Sequence, residues 1–216
     1  MAPDVLRPGS SAAVQLWKAT NTKKWEQSLQ KYSQCIQLVN ENQSNAQNRI
    51  SKVTFIEDDK WREEQLPMIM KKKKYLTLED IQRLVRWKLR RGMYRPTLLG
   101  LIKRNQNDFV VKTTKSAFSD SVDTDSSLSN ICLLQGVGPA TASALISSYH
   151  PDKIAFMSDE AMDAALGLPR TYTLSQYKKF QKVMQEKAEE LGDDWTPSTV
   201  EKALWCAAMI AKYSRK

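Results

Sequence analysis

The chain has 216 residues, of which 41% are apolar and 26% charged, as expected for a globular domain with an appendage. The longest apolar run, LWCAAMIA from Leu204 to Ala211, is too short to span a membrane, and the three widely spaced cysteines exclude the usual zinc and iron–sulfur patterns. The formal net charge is +9, but residues 71–104 alone carry +10, so an anionic partner such as nucleic acid is expected, with an ordinary basic surface as the alternative.

The first 75 residues show helical rather than strand periodicity. Apolar residues from Trp25 to Val39 recur at intervals of three and four, which predicts one amphipathic helix face. The polar stretch 40–51 predicts a loop. A short helix around 61–66 is expected to end at Pro67, because proline lacks the N–H that a helix interior requires.

The segment LEDIQRLVRWKLRR, residues 78–91, predicts a helix with two different faces. Thr77 is the expected N-cap, and Gly92 is expected to close the helix. Four apolar residues share one face, while Arg83, Arg86 and Arg90 lie together on its flank. We expect these guanidinium groups to contact phosphate oxygens, although three arginines could equally serve only to keep the helix soluble.

The remainder of the chain continues the helical pattern. The serine- and aspartate-rich stretch 119–130 predicts a solvated connector. Further helices are expected at 97–105, 109–118, 139–149, 158–166, 174–191 and, with Thr196 as N-cap, from Pro197 onward. The predicted fold class is therefore all-α, a multi-helix domain. Residues 1–58 are expected to form an N-terminal amphipathic helix and polar linker, and residues 59–216 the helical domain.

The stretch LLQGVGPATASAL, residues 133–145, contains the most informative motif. A dinucleotide-binding turn needs a preceding strand and a third glycine, where this chain has Thr141. A nucleotide-hydrolase phosphate loop needs a Gly-Lys pair, which does not occur. The remaining interpretation is a helix–hairpin–helix, in which the chain turns through Gln135, Gly136, Val137 and Gly138 and a second helix begins at the next residue, a proline.

Such a turn can bind an anion. Glycine permits positive φ and removes a Cβ that would obstruct a phosphate, and the N–H groups at the start of the second helix attract negative charge. Val137 is expected to pack inward. The alternative is a glycine-capped turn that only connects two core helices.

LLQGVGPATA resembles the hairpin of the helix–hairpin–helix DNA glycosylases, a superfamily of base-excision repair enzymes that includes endonuclease III. The resemblance covers residues 131–161 and implies a catalytic aspartate about twenty residues after the hairpin, at Asp159. Members that cleave the DNA backbone carry a lysine where this chain has Ala140. The resemblance therefore implies a monofunctional glycosylase, without Schiff-base chemistry and without a metal or other cofactor.

In this interpretation Asp159 stabilises an oxocarbenium-like sugar and orients water, while the turn and Thr141 hold a phosphate beside a flipped base. Trp61, Trp87, Tyr94 and Trp195 are candidate stacking partners for that base. Against this, Ser158 and the acidic residues after it suit a helix start, so Asp159 could serve only in capping. The competing functions are a non-catalytic DNA-binding module and a helical interaction protein.

DNA is the expected partner, contacted mainly at its phosphate backbone, with no membrane and no nucleotide cofactor. The N-terminus lacks the apolar core of a secretory signal, so we expect an intracellular and, for a DNA-binding protein, nuclear location.

Overall fold

Every regular element in the computed structural model is a helix, for the residues that it describes, 5–119 and 123–214. This confirms the all-α fold class. The first nine helices are α1 (Ser10–Trp17), α2 (Thr22–Leu29), α3 (Tyr32–Glu41), α4 (Asn45–Asn48), α5 (Phe55–Lys60), α6 (Leu66–Lys73), α7 (Leu78–Arg91), α8 (Pro96–Ile102) and α9 (Asn107–Ala117). The later ones are α10 (Thr124–Ile131), α11 (Pro139–Tyr149), α12 (Asp159–Ala165), α13 (Leu174–Leu191) and α14 (Pro197–Tyr213). No helix in the described part of the chain is long and apolar enough to cross a membrane.

The chain divides into two compact units. The terminal unit comprises the described residues up to Val39 and from Pro151 onward, and the central unit runs from Asn40 to His150. Neither boundary falls at residue 58, where the sequence-based division places the end of the linker. The glycine turn and the basic segment belong to the central unit, whereas Asp159 belongs to the terminal unit.

Helix α14 forms the centre of the terminal unit. Leu204 and Trp205 on this helix are fully buried, and α1, α2, α12 and α13 pack against it. The helix starts as the sequence predicts: the Thr196 side chain accepts a hydrogen bond from the N–H of Thr199, and Pro197 occupies the first turn. The predicted stripe from Trp25 to Val39 is divided between α2 and α3.

In the central unit the prediction that Pro67 ends a helix is wrong. A π-helical turn, Trp61–Gln65, joins α5 directly to α6, so the helical path continues through the proline. The N–H of Leu66 donates to the carbonyl of Trp61, five residues earlier, rather than to the residue four positions back. Pro67 then lies in the first turn of α6, directly after the π-helical turn.

The stretch 119–130, expected to be a connector, contains most of α10. Asp123 caps this helix by accepting hydrogen bonds from the N–H groups of Asp125 and Ser126. Leu128 and Ile131 are fully buried on its inner face. The serines and aspartates that suggested a loop therefore form a capped helix with two anchoring apolar residues. Residues 120–122 of the expected connector lie outside the described residues.

Candidate nucleic-acid interface and the Asp159 cluster

A glycine turn, residues 132–138, joins α10 to α11 in the central unit. The N–H of Val137 donates to the carbonyl of Leu134 at 3.0 Å, which closes the turn. Val137 packs inward as predicted, with 7% of its surface exposed. Helix α11 begins at Pro139, the position that the sequence indicates. Gln135 and Gly138 are exposed on the outer side of this turn.

The two glycines of the turn have different physical reasons to be glycine. Gly136 has φ +79°, and a Cβ there would lie 2.9 Å from the Cβ of Leu101, so the turn itself requires glycine. Gly138 has φ −105°, which any residue adopts, and apart from its chain neighbours no heavy atom of the described residues lies within 4 Å of the position of its Cβ. The space beside Gly138 is therefore open to an approaching group.

Three backbone N–H groups at this turn have no acceptor among residues 5–119 and 123–214: those of Gly136, Gly138 and Ala140. The N–H groups of Thr141 and Ala142 differ, since both donate to the Gly138 carbonyl at 2.9 Å. Unsatisfied donors at the start of a helix attract anions, because the helix dipole adds positive potential there. Within the described part of the chain, residues 136–140 thus contain three N–H groups without an acceptor.

Asn105 fixes the glycine turn and was missed by the sequence analysis. Its side-chain oxygen accepts from the N–H of Gln135 at 2.8 Å, and its Nδ2 donates to the Gln135 carbonyl at 3.0 Å. The two residues preceding it, Lys103 and Arg104, are exposed and form no ion pair within the described part of the chain. The structure therefore places two exposed cations in the chain directly beside the residue that holds the turn. The sequence signal was the polar KRN triplet after α8.

Thr141, another predicted phosphate contact, is buried. Only 6% of it is exposed, so its side chain contributes to packing at the start of α11. The exposed Gln135 lies at the turn itself, with its backbone clamped by Asn105.

Arg83, Arg86 and Arg90, which the sequence predicts to contact phosphate, are engaged in ion pairs within the central unit. All three surround the carboxylate of Asp58, which is fully buried in α5. Arg83 Nε lies 3.1 Å and Arg86 Nε 3.0 Å from its oxygens, and the Arg90 side chain is 2% exposed. These arginines compensate a buried negative charge, since an unpaired carboxylate in the interior is costly.

Arg90 is the most enclosed of the three. Besides Asp58, it donates to the backbone carbonyls of Ser51 and Val53. Burial lowers its pKa, and the charge of Asp58 opposes that shift. Its position in α7 therefore serves the core of the central unit.

Two of the aromatic candidates for base stacking are also core residues. Trp61 and Trp87 are 3% and 1% exposed. The Arg83 guanidinium lies 4.8 Å from the Trp61 ring centroid, and the Trp87 indole donates to Asp59 at 2.8 Å. Tyr94 and Trp195 are half-buried and remain accessible.

In the terminal unit Asp159 is the first residue of α12 and is held by two side chains. Arg7 Nε donates to one carboxylate oxygen at 2.7 Å, and the Tyr172 hydroxyl donates to the other at 2.5 Å. The Asp159 side chain is 18% exposed, so solvent reaches it. Arg7 comes from the segment before α1, and Tyr172 from the segment before α13.

The pKa of Asp159 lies below its ordinary value. Burial raises this pKa, but the Tyr172 hydrogen bond and the charge of Arg7 together outweigh it. The stabilisation from these contacts is therefore present above the unfolded-state pKa of about 3.9 and is lost as the pH falls through the lowered folded-state value. Tyr172 has a pKa raised to about 12 by burial and by Asp159, and it remains a donor at neutral pH.

A second carboxylate lies beside this pair. The backbone N–H of Arg7 donates to Asp163 at 3.0 Å, and Arg170 forms an ion pair with the same carboxylate. Arg170 also donates to the carbonyl of Val5 at 3.0 Å. Arg7, Asp159, Asp163, Arg170 and Tyr172, which we call the Asp159 cluster, thus tie the N-terminal segment to α12.

The side chains at the start of α12 do not form the hydrogen bonds that the capping interpretation predicts. Ser158 forms no cap hydrogen bond, because its hydroxyl donates to the buried Glu201 at 2.5 Å. The Asp159 carboxylate is bonded to Arg7 and Tyr172. An acidic residue in the first turn still interacts favourably with the helix dipole.

All three cysteines are free thiols, and Cys35 and Cys206 are buried. Half-buried Cys132, at the start of the glycine turn, has a pKa raised to about 11 by burial and is a protonated thiol at neutral pH. No group of histidine, cysteine and acidic side chains within residues 5–119 and 123–214 is arranged to hold a metal ion.

Comparison with known proteins gives no significant match to a family model, to a curated protein or to a solved structure. The candidate functional features of the molecule are the glycine turn and the Asp159 cluster.

Proposed function

We propose that this protein binds DNA through its phosphate backbone, with little dependence on base sequence, and that the glycine turn is the contact. The observation that carries the proposal is that the N–H groups of Gly136, Gly138 and Ala140 have no acceptor among the described residues, beside the open space at Gly138. Backbone N–H groups at helix starts are common phosphate contacts in protein–DNA complexes, and they carry no sequence information.

The exposed cations supply the longer-range attraction. Lys103 and Arg104 precede Asn105, the clamp of the glycine turn, and the exposed lysines 71–74 form the C-terminal end of α6 in the same unit. Each lysine or arginine that neutralises a phosphate releases counterions, so affinity falls with salt in proportion to the number of such contacts. The basic segment therefore acts through these residues and not through the Asp58-bound arginines.

The double variant Lys103→Gln with Arg104→Gln tests this proposal. We expect it to weaken binding to unrelated duplexes alike and to reduce the slope of log affinity against log salt by about two. Fluorescence anisotropy of labelled duplexes between low and moderate salt measures both quantities. The matched control, Lys23→Gln with Lys24→Gln, removes two exposed lysines of α2 in the terminal unit. An equal change of slope in both double variants would show that only net charge matters.

Base excision at Asp159 is a second candidate function. The favouring observation is that the carboxylate is partly exposed and is held by side chains, with a lowered pKa that keeps it anionic at neutral pH. A fixed anion of this kind suits the stabilisation of an oxocarbenium-like sugar and the orientation of a water molecule. Ala140 lies where the backbone-cleaving glycosylases carry a lysine, so the chain offers no amine there for a Schiff base. The reaction proposed is therefore hydrolysis of the N-glycosyl bond without a covalent enzyme intermediate.

We expect Asp159→Asn to reduce excision by roughly two to three orders of magnitude, because the substitution keeps the shape but removes the stabilising charge. The assay is release of abasic sites from a panel of damaged and mismatched duplexes. DNA affinity should stay level. Asp163→Asn is the control, since it perturbs the same cluster without changing the candidate residue. Equal losses of excision in the two variants would show that the effect comes from damage to the fold. If the wild type releases no base, the protein is a DNA-binding module without excision activity.

A further inference from the structure

The terminal unit contains a cleft of about 370 Å³ between α2 and the segment that links α13 to α14. This volume lies at the lower end of the range of ligand pockets, roughly 300–1,000 Å³. Neither the glycine turn nor the Asp159 cluster contributes to its lining. The cleft is therefore a separate feature of the molecule.

The lining combines an apolar floor with an acidic rim. Leu29 and Leu191 contribute aliphatic surface, and Trp195 contributes an indole ring that packs edge-on against buried Trp25, with ring centroids 6.0 Å apart. The rim carries three exposed carboxylates, those of Glu26, Asp193 and Asp194. A fixed aromatic residue beside polar groups is typical of recognition sites.

The three rim carboxylates form no ion pair within the described part of the chain. This contrasts with the neighbouring Glu190, which Lys187 contacts at 2.5 Å. It also contrasts with the chain as a whole, which carries a net charge of +9. The rim thus offers three carboxylates to a cationic group, on a protein whose net charge is positive.

We propose that this cleft binds the lysine or arginine side chain of a basic segment in a partner protein. The long aliphatic stem of such a side chain packs on Leu29, Leu191 and Trp195, and its charged head reaches the carboxylates at the rim. A divalent metal ion fits less well, because the described side chains include no group of three metal ligands arranged around one point.

The test uses the full chain and a fluorescently labelled peptide of alternating lysine and alanine. We expect saturable binding, measured by anisotropy, that the double variant Asp193→Asn with Asp194→Asn weakens at least tenfold. The control, Asp152→Asn with Glu186→Gln, makes the same change in net charge at exposed positions of the same unit, and it should shift affinity less than twofold. A peptide with norleucine in place of lysine should not bind.

Three results would overturn the proposal. Equal weakening in the two double variants would show diffuse charge attraction, and unchanged binding in Asp193→Asn with Asp194→Asn would place the peptide elsewhere. Displacement of the peptide by spermidine at the same charge concentration would identify a site for small organic cations instead.

Trp195→Leu gives a second readout, since loss of the indole should weaken binding of the peptide while leaving the rim charges in place. Duplex DNA binding is measured in parallel, so failure of this proposal is distinguishable from failure of the DNA-binding proposal.

Discussion

Asp58→Asn is expected to destabilise the protein by about 3–5 kcal/mol, the cost typical of removing one partner from a buried ion pair. The carboxylate is fully buried and contacts Arg83, Arg86 and Arg90. Asparagine keeps the shape but leaves the Arg90 side chain, which is 2% exposed, without its counter-charge. Urea unfolding followed by circular dichroism at 222 nm measures the change in free energy.

Arg83→Gln is the matched control for that experiment. The Arg83 side chain is 29% exposed and supplies one of three cations to Asp58, so its loss should cost less than about 1 kcal/mol. Similar losses of unfolding free energy in the two variants would mean that Asp58 is not the common partner that holds the three arginines together.

Gly9→Ala is expected to cost about 3 kcal/mol or more. Gly9 has φ +89°, and a Cβ there would lie 2.1 Å from the backbone oxygen of Ala208 in α14. The new methyl group therefore imposes backbone strain and also forces the start of α1 away from α14. Since Arg7 precedes this glycine, the variant should also weaken the ion pair to Asp159 and raise the pKa of that carboxylate.

Gly167→Ala is the control that separates the cost of backbone strain from the cost of a steric clash. Gly167 has φ +72°, but apart from its chain neighbours no heavy atom of the described residues lies within 4 Å of its Cβ position, so alanine there carries only the conformational cost of about 1–2 kcal/mol. Unfolding of both variants in urea gives the comparison. Equal costs would indicate that α1 moves away from α14 without penalty, and the N-terminal segment would then not be tied to the terminal unit.

The helix starts were predictable because their signals are local. Thr77 and Thr196 each lie within three residues of the N–H that they cap, and Pro139 suits the first turn of α11. The apolar periodicity likewise gave the bounds of α13. These features depend on neighbours in sequence, which a single chain displays directly.

The partners of charged residues were not predictable, because they depend on contacts that are distant in sequence. Arg7 and Asp159 are separated by 152 positions, and Arg90 and Asp58 by 32. A row of arginines on one flank of α7 looks the same whether it faces solvent or a buried carboxylate. Asn105 was missed for the same reason, since its function lies in a contact with Gln135, 30 residues later.

The measurement that tests the central claim most directly compares Gly138→Asp with Gly138→Asn in fluorescence anisotropy titrations with duplex DNA. Gly138 is the N-cap of α11, and both side chains are favoured at that position, so each variant should be as stable as the wild type or more stable by a few tenths of a kcal/mol. Only aspartate places a negative charge where the phosphate is proposed to lie. Gly92→Asp adds the same charge elsewhere in the central unit, at φ −127° with its Cβ in ordinary contact.

We expect Gly138→Asp to lose at least tenfold in affinity, Gly138→Asn to lose clearly less, and Gly92→Asp to stay within about threefold of the wild type, as one screened surface charge allows. A stable, helical Gly138→Asp variant that binds duplex DNA as tightly as the wild type would contradict the account.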